Sequence, residues 1–167
     1  MQENLKHIRR YAALGLWGSV AAVIVTVLFI YVAPWRFYPS EHTSRWMLVA
    51  GSVLAVLAVS MTLLSVRRQI PLLRQADALQ TKLEGYAAHV RSLYLTMLVV
   101  VVLLCAFTLM SARNVLLMLA MVSTLVLFLN YPNIYRIKVD LGLTDEEMST
   151  LDPLGSLENP REPNNKE

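Results

Sequence analysis

Four stretches of this chain contain no Asp, Glu, Lys, Arg or His, and they cover residues 11–33, 46–66, 92–112 and 114–135. A helix needs about 20 apolar residues to cross the roughly 30 Å hydrocarbon layer of a bilayer. The first three stretches meet this length comfortably. The fourth is at the short end, with a usable span at 113–131. We therefore predict four transmembrane helices, and the segments between them are too short for another domain.

The composition favours a bilayer over water as the solvent of this fold. The chain has 167 residues, of which 56% are hydrophobic and only 16% are charged, whereas about 25% of the residues of a soluble domain are charged. The mean hydropathy is +0.49. The predicted fold class is an all-α integral membrane protein whose four helices form two hairpins.

The connections between the spans predict these two hairpins. Spans three and four are separated only by the sequence SARN, and one unbroken helix through it would greatly exceed the bilayer thickness. We expect a tight turn there, with the Arg113 side chain reaching the headgroups. Residues 34–45 form the loop of the first hairpin, where Pro34 and Pro39 mark a turn and aromatic side chains form an interfacial belt.

The positive charges predict the orientation of the chain. Ten Lys and Arg residues lie within residues 1–10, 67–91 and 132–138, and three flank the other ends of the spans. By the positive-inside rule, both termini and the middle segment are cytoplasmic and the protein lies in the cell membrane. Span one is longer than the roughly 7–15 apolar residues of a signal peptide, so we expect a retained signal-anchor helix.

Small residues recur one helical turn apart in spans one and two. Such spacing lets helix backbones approach closely in lipid, where apolar side chains gain little by leaving the tails. We expect spans one and two to cross closely, and a self-association face is the alternative interpretation. The predicted helix-packing residues are Gly15, Gly18, Ser19, Ala22, Gly51 and Ala55.

The cytoplasmic segment 67–91 has helical periodicity over residues 70–90, which predicts an amphipathic helix with Pro71 in its first turn and a bend at Gly85. His89 falls on or near the polar side. The apolar face can lie in the headgroup plane or pack on protein, and we favour packing. The candidate partner-binding residues on this face are Leu72, Leu79, Leu83 and Tyr86.

Residues 132–151 predict two short cytoplasmic helices. Pro132 ends span four because its ring clashes with the preceding turn. Gly142 is expected to stop the first helix. The apolar residues of this first helix can dock on the middle segment. The sequence TDEE then predicts a capping box with Thr144 as N-cap. Residues 152–167 are polar and rich in Pro and Gly, so we expect disorder.

The acidic turn at residues 144–147 is not explained by folding alone. It supplies three further candidate partner-binding residues, which are Asp145, Glu146 and Glu147.

The sequence shows no constellation of catalytic residues. No ionisable side chain lies inside a predicted span, which disfavours a proton-coupled transporter. His42 beside Glu41, or His7 with His89, are the only metal-site options, and neither provides a full ligand set. Cys105 is expected to be a packing residue. We expect no catalytic residue, cofactor or metal, and the basic residues mark topology rather than a nucleic-acid surface.

These features favour a non-enzymatic accessory or scaffold protein that binds a membrane-protein partner, or a second copy, through its cytoplasmic helices. The alternative is a small oligomeric channel or solute facilitator whose pore is lined by the Ser, Thr and small residues of spans one and two. An enzyme acting on lipid is a third hypothesis, and no polar pair at the interface identifies it.

Overall fold

The computed structural model of the chain describes residues 2–32, 40–76, 78–111, 113–144 and 147. The only regular secondary structure in its described part is helix, with α1 (Gln2–Val32), α2 (Glu41–Arg74), α3 (Leu79–Ser111), α4 (Asn114–Leu129) and α5 (Ile134–Leu141). Helices α1, α2 and α3 are long and apolar enough to cross a membrane. Helices α4 and α5 form a pair bent by 76° that adds a fourth candidate span if both are counted together. The structure therefore supports an all-α membrane protein.

Helix α3 is the centre of the bundle. It packs along α1, α2 and α4, whereas α1 and α2 barely touch each other. The prediction that spans one and two cross closely is wrong, because each of them packs on α3 instead. The buried positions of α3 include Tyr94, Met97, Val101 and Leu104, all at most 1% exposed.

Helix α1 closely approaches the backbone of α3 at Gly15. A Cβ atom at this position would lie 2.8 Å from the Tyr94 Cβ and 3.1 Å from the Tyr94 carbonyl oxygen. No side-chain rotation can move those two atoms, because they belong to the α3 backbone or are fixed to it. Glycine is therefore required here because there is no room for a side chain, and not because of its backbone conformation.

The other predicted helix-packing residues also face α3, α4 or the buried core that these two helices help to form. A Cβ at Gly18 would come within 3.0 Å of the tip of Leu98, and one at Gly51 within 2.5 Å of the tip of Leu116. Both of these contacts involve the far end of a flexible side chain. Ser19 and Ala55 are buried, and Ala22 packs against the buried core.

Helix α4 ends with all of its last four carbonyls, at residues 126–129, accepting a hydrogen bond. The Asn130 amide nitrogen donates to the first at 2.8 Å and the Tyr94 hydroxyl to the second at 3.0 Å. The Tyr131 N–H donates to the third at 3.1 Å and the Arg136 guanidinium to the fourth. At 16 residues, α4 spans only about 24 Å, and this capping lets it end at Pro132 without exposed backbone acceptors.

The middle segment, residues 67–91, is not a separate amphipathic helix. Helix α2 continues through Pro71, and α3 begins at Leu79 and continues through Gly85 without interruption. A Cβ at Gly85 would lie 2.4 Å from a Leu73 methyl group, so the two helix extensions pack directly on each other. Of the predicted apolar face, Leu83, Tyr86 and Val90 are buried but Leu72 is 67% exposed. Periodicity could not show that these residues belong to the ends of two long helices.

Beside α5, the starts of α1 and α3 enclose buried apolar side chains. We call this region the basal cap, and it comprises residues 5–12, 67–76, 79–91 and 132–143. The expected N-terminal tail, residues 1–10, is part of α1 from Gln2 onward. The buried apolar residues of the basal cap that belong to the main core are Leu5, Ile8, Ala12, Leu83, Tyr86, Val90, Ile137, Leu141 and Leu143.

The contrast between Gly15 and Gly18 gives a test of the packing. We expect Gly15→Ala to lower the free energy of unfolding by about 1–3 kcal/mol, because α1 must move away from the α3 backbone. Gly18→Ala should be near neutral, because the Leu98 tip can shift and alanine gains about 1 kcal/mol in helix propensity. Thermal unfolding in detergent, followed by far-ultraviolet circular dichroism, measures both. Equal effects of the two substitutions would contradict the α1–α3 contact.

Candidate functional site

The apolar residues predicted to bind a partner divide into buried and exposed positions. Leu83 is 0% exposed and Tyr86 is 4% exposed, so the basal cap itself covers both. Leu79 is partly buried and packs against the core. Leu72 is 67% exposed, and it is the one member of this set that is open to a partner in the isolated chain.

The acidic turn is described only at Thr144 and Glu147, and Asp145 and Glu146 lie outside the described residues. The Thr144 N–H donates to the Glu147 carboxylate at 2.8 Å, and the Glu147 N–H donates to the Thr144 hydroxyl at 3.3 Å. These two bonds form the reciprocal capping box that the sequence predicts. The Lys82 ammonium lies 4.0 Å from the same carboxylate, which holds the turn against the start of α3.

Arg74 ties the end of α2 to the end of α5. Its Nε donates to the Asp140 carbonyl at 2.8 Å, and its second terminal nitrogen donates to the Val139 carbonyl. These carbonyls belong to the last turn of α5, where a helix has unpaired acceptors and a partial negative charge. Gly142 ends the helix with φ +62°, a left-handed conformation that glycine adopts without strain.

A second connection runs from α3 to α5 through Asp140. The Tyr86 hydroxyl donates to the Asp140 carboxylate at 3.1 Å. The Arg136 guanidinium lies 3.7 Å from the same carboxylate and also donates to the Asn130 side-chain oxygen at 2.8 Å. Side chains of α3 and α5 and the end of α4 are thereby held in one network. The apolar residues Ile134, Ile137 and Leu141 are buried beneath it.

The opposite end of the bundle has a smaller polar cluster. The Ser44 hydroxyl donates to the Ser111 carbonyl at 3.1 Å, and the Arg113 Nε donates to the Ser44 oxygen at 3.1 Å. Arg113 therefore links the turn between α3 and α4 to the start of α2. Its side chain contacts a second helix in addition to lying at the surface. His42 accepts a hydrogen bond from the Trp46 indole at 2.9 Å.

A polar cavity between α2 and α3 was not foreseen from the sequence. It has a volume of about 380 Å³, and its polar lining residues are Thr62, Ser65, Gln69, His89, Ser92 and Thr96. His89 was expected on or near the polar side of a surface helix, but it is only 8% exposed. Its Nε2 is buried and has no hydrogen-bond partner within the described residues. The sequence signal that could have revealed this cavity is the helical spacing of these polar residues on two adjacent segments.

Most hydroxyl groups inside the bundle are satisfied by their own helix. Ser19, Thr26 and Ser123 donate to the carbonyl four residues earlier at 2.8–2.9 Å. Thr62, Thr108 and Thr124 make the same bond. The donor of each of these hydroxyls is therefore used within its own helix, while the Thr26 oxygen in α1 also pairs with the Cys105 side chain in α3.

The described residues contain no group of three or more His, Cys, Asp or Glu side chains that could hold a metal ion. His7 is exposed on α1 and stacks on Tyr11, with ring centroids 6.3 Å apart. His89 instead lines the cavity between α2 and α3, so the two histidines have different surroundings. Cys105 is buried in α3, as expected of a packing residue.

Comparison of the chain with protein-family models, with curated proteins and with solved structures found no match. The function of the protein can therefore be inferred only from the geometry of the basal cap and the cavity.

Arg74 provides the first test of the basal cap. Arg74→Ala removes two charge-assisted hydrogen bonds to α5 and should destabilise its docking by about 1 kcal/mol at this exposed site. Amide hydrogen exchange in residues 134–143 should then be roughly fivefold faster, the factor that corresponds to this energy. Arg67→Ala is the control, because Arg67 is equally exposed and has no ion pair within the described residues. Unchanged exchange in Arg74→Ala would contradict the proposed role.

The capping box predicts a pH dependence at Glu147. The Thr144 N–H holds the pKa of this carboxyl below its ordinary value of 4.5, with a smaller contribution from Lys82. Because the pKa is lowered by folding, the stabilisation is present above the ordinary pKa and is lost as the pH falls through the lowered one. Carbon-13 NMR of the Glu147 carboxyl should show a midpoint below 4.5. A midpoint at or above that value would exclude the capping box in solution.

Proposed function

We propose that this protein is a non-enzymatic accessory or scaffold subunit of the cell membrane, which binds a membrane-protein partner through its basal cap. The observation that carries the proposal is the way α5 is fixed. Arg74 and Tyr86 bond it to α2 and α3, and its apolar face is buried. These contacts fix the end of α5 immediately before Thr144, which begins the capping box.

The positive charges support an orientation with the basal cap in the cytoplasm. Ten Lys and Arg residues lie at the end of the spans that carries α5, against three at the other end. This asymmetry is the one that sets topology in multi-span proteins. On this orientation both termini are cytoplasmic and the acidic turn faces cytoplasmic proteins or the cytoplasmic segments of membrane proteins.

The bundle gives less support to a channel or facilitator than to an accessory protein. The small-residue faces of α1 and α2, which would have to line a pore, are covered by Tyr94, Leu98 and Leu116. The intrahelical hydroxyl bonds also leave few donors free for a permeating solute. A flux assay on purified protein in liposomes tests this alternative directly, since a facilitator must conduct there without a partner.

Charge removal at the acidic turn tests the accessory function. Asp145→Asn with Glu146→Gln leaves the Glu147 capping box intact, and we expect it to reduce co-purification of the partner from mild detergent extracts by about tenfold, the effect of losing about 1.4 kcal/mol of binding. The control is Glu41→Gln, which removes an exposed charge at the start of α2, at the opposite end of the bundle. A wild-type protein that purifies with no stoichiometric partner, or equal recovery from the double variant and the control, would contradict the proposal.

A further inference from the structure

The cavity between α2 and α3 contains a buried polar group that the fold does not use. His89 is 8% exposed, and its Nε2 has no hydrogen-bond partner within the described residues. Burying such a nitrogen costs free energy unless something supplies a partner. The cavity of about 380 Å³ beside it is large enough for several non-hydrogen atoms of a ligand. We propose that this cavity binds a phospholipid, with the lipid glycerol-ester region beside His89 and the phosphate near Arg68.

The lining offers hydrogen bonds to uncharged polar groups. Gln69, Ser92 and Thr96 make no side-chain hydrogen bond within the described residues, so their donors are free. Ester carbonyl oxygens are acceptors that match these donors. Thr62 and Ser65 already donate to their own helix at 2.9 and 3.0 Å, so they present oxygen lone pairs only. Among the described residues no carboxylate lines the cavity, which suits an ester.

The position of the cavity matches the depth of a lipid glycerol group. One end is lined by Ala58 and Thr96 within the candidate spans, and the other by Gln69 and Gly85 in the basal cap. The cavity therefore crosses the boundary between apolar and polar surroundings, as the ester region of a lipid does. Met61 also lines it and is 68% exposed on the outside of α2, which gives the acyl chains an apolar surface to follow.

Arg68 supplies charge complementarity for the phosphate. It is not among the lining residues, but it follows Ser65 by three residues and so lies about one helical turn from it on α2. Its side chain is exposed and forms no ion pair within the described residues. A guanidinium binds a phosphate through parallel charge-assisted hydrogen bonds. The lipid site is independent of the proposed accessory function, because it requires neither the acidic turn nor a protein partner.

The test is a lipid titration of the purified, delipidated full-length protein, followed by native mass spectrometry. The ligands are dioleoyl phosphatidylglycerol, dioleoyl glycerol without phosphate, and soluble glycerol 3-phosphate. Ser92→Leu fills the cavity from an exposed position, and Ser60→Leu is its control on the exposed surface of α2 outside the cavity. Arg68→Gln is compared with Arg67→Gln. Far-ultraviolet circular dichroism checks that every variant keeps its helix content.

We expect the wild type to bind one phosphatidylglycerol molecule and Ser92→Leu to bind it about tenfold more weakly. Ser60→Leu and Arg67→Gln should bind it like the wild type, and Arg68→Gln should weaken only the phosphate-bearing lipid. Equal binding by Ser92→Leu and Ser60→Leu would overturn the site. Glycerol 3-phosphate binding as tight as the lipid would overturn the lipid as occupant, and equal affinity for dioleoyl glycerol would overturn the role of Arg68.

Discussion

Tyr94 is the side chain on which most of the bundle depends. Its Cβ and backbone press against Gly15 of α1, and its hydroxyl donates to the Leu127 carbonyl at 3.0 Å near the end of α4. One residue of α3 thus sets the distance to α1 and satisfies a backbone acceptor of α4. In lipid an unpaired carbonyl is costly and no water replaces the bond, so both contacts must form together. α3 is consequently the helix on which the others are assembled.

The two regions of the protein are stabilised by different forces. Between the spans, lipid tails are as apolar as the side chains, so close packing at small residues such as Gly15 dominates. In the basal cap the hydrophobic effect operates in addition, and it favours burial of Ile8, Leu83 and Leu141. Arg74 and Tyr86 then orient α5 by bonding its last turn. The basal cap is therefore held together both by apolar burial and by hydrogen bonds between helices.

The acidic turn and the cavity use different parts of this architecture. The turn depends on the Gly142 stop and the Thr144–Glu147 capping box, both of which are local. The cavity depends on how two long helices run side by side, with His89 and Thr62 facing the space between them. A protein partner at the turn and a lipid in the cavity are compatible, because the surfaces they need are separate. Both are proposals that the substitutions above distinguish.

The sequence by itself determined the local features of this protein: the apolar runs, the end of span four at Pro132, the stop at Gly142 and the capping box. Each of these depends on residues within one or two helical turns. Only the tertiary structure decided that α1 and α2 pack on α3, that residues 67–91 extend two helices, and that His89 is buried. Periodicity locates the apolar face of a helix, but where lipid and protein are equally apolar it cannot tell which face meets another helix.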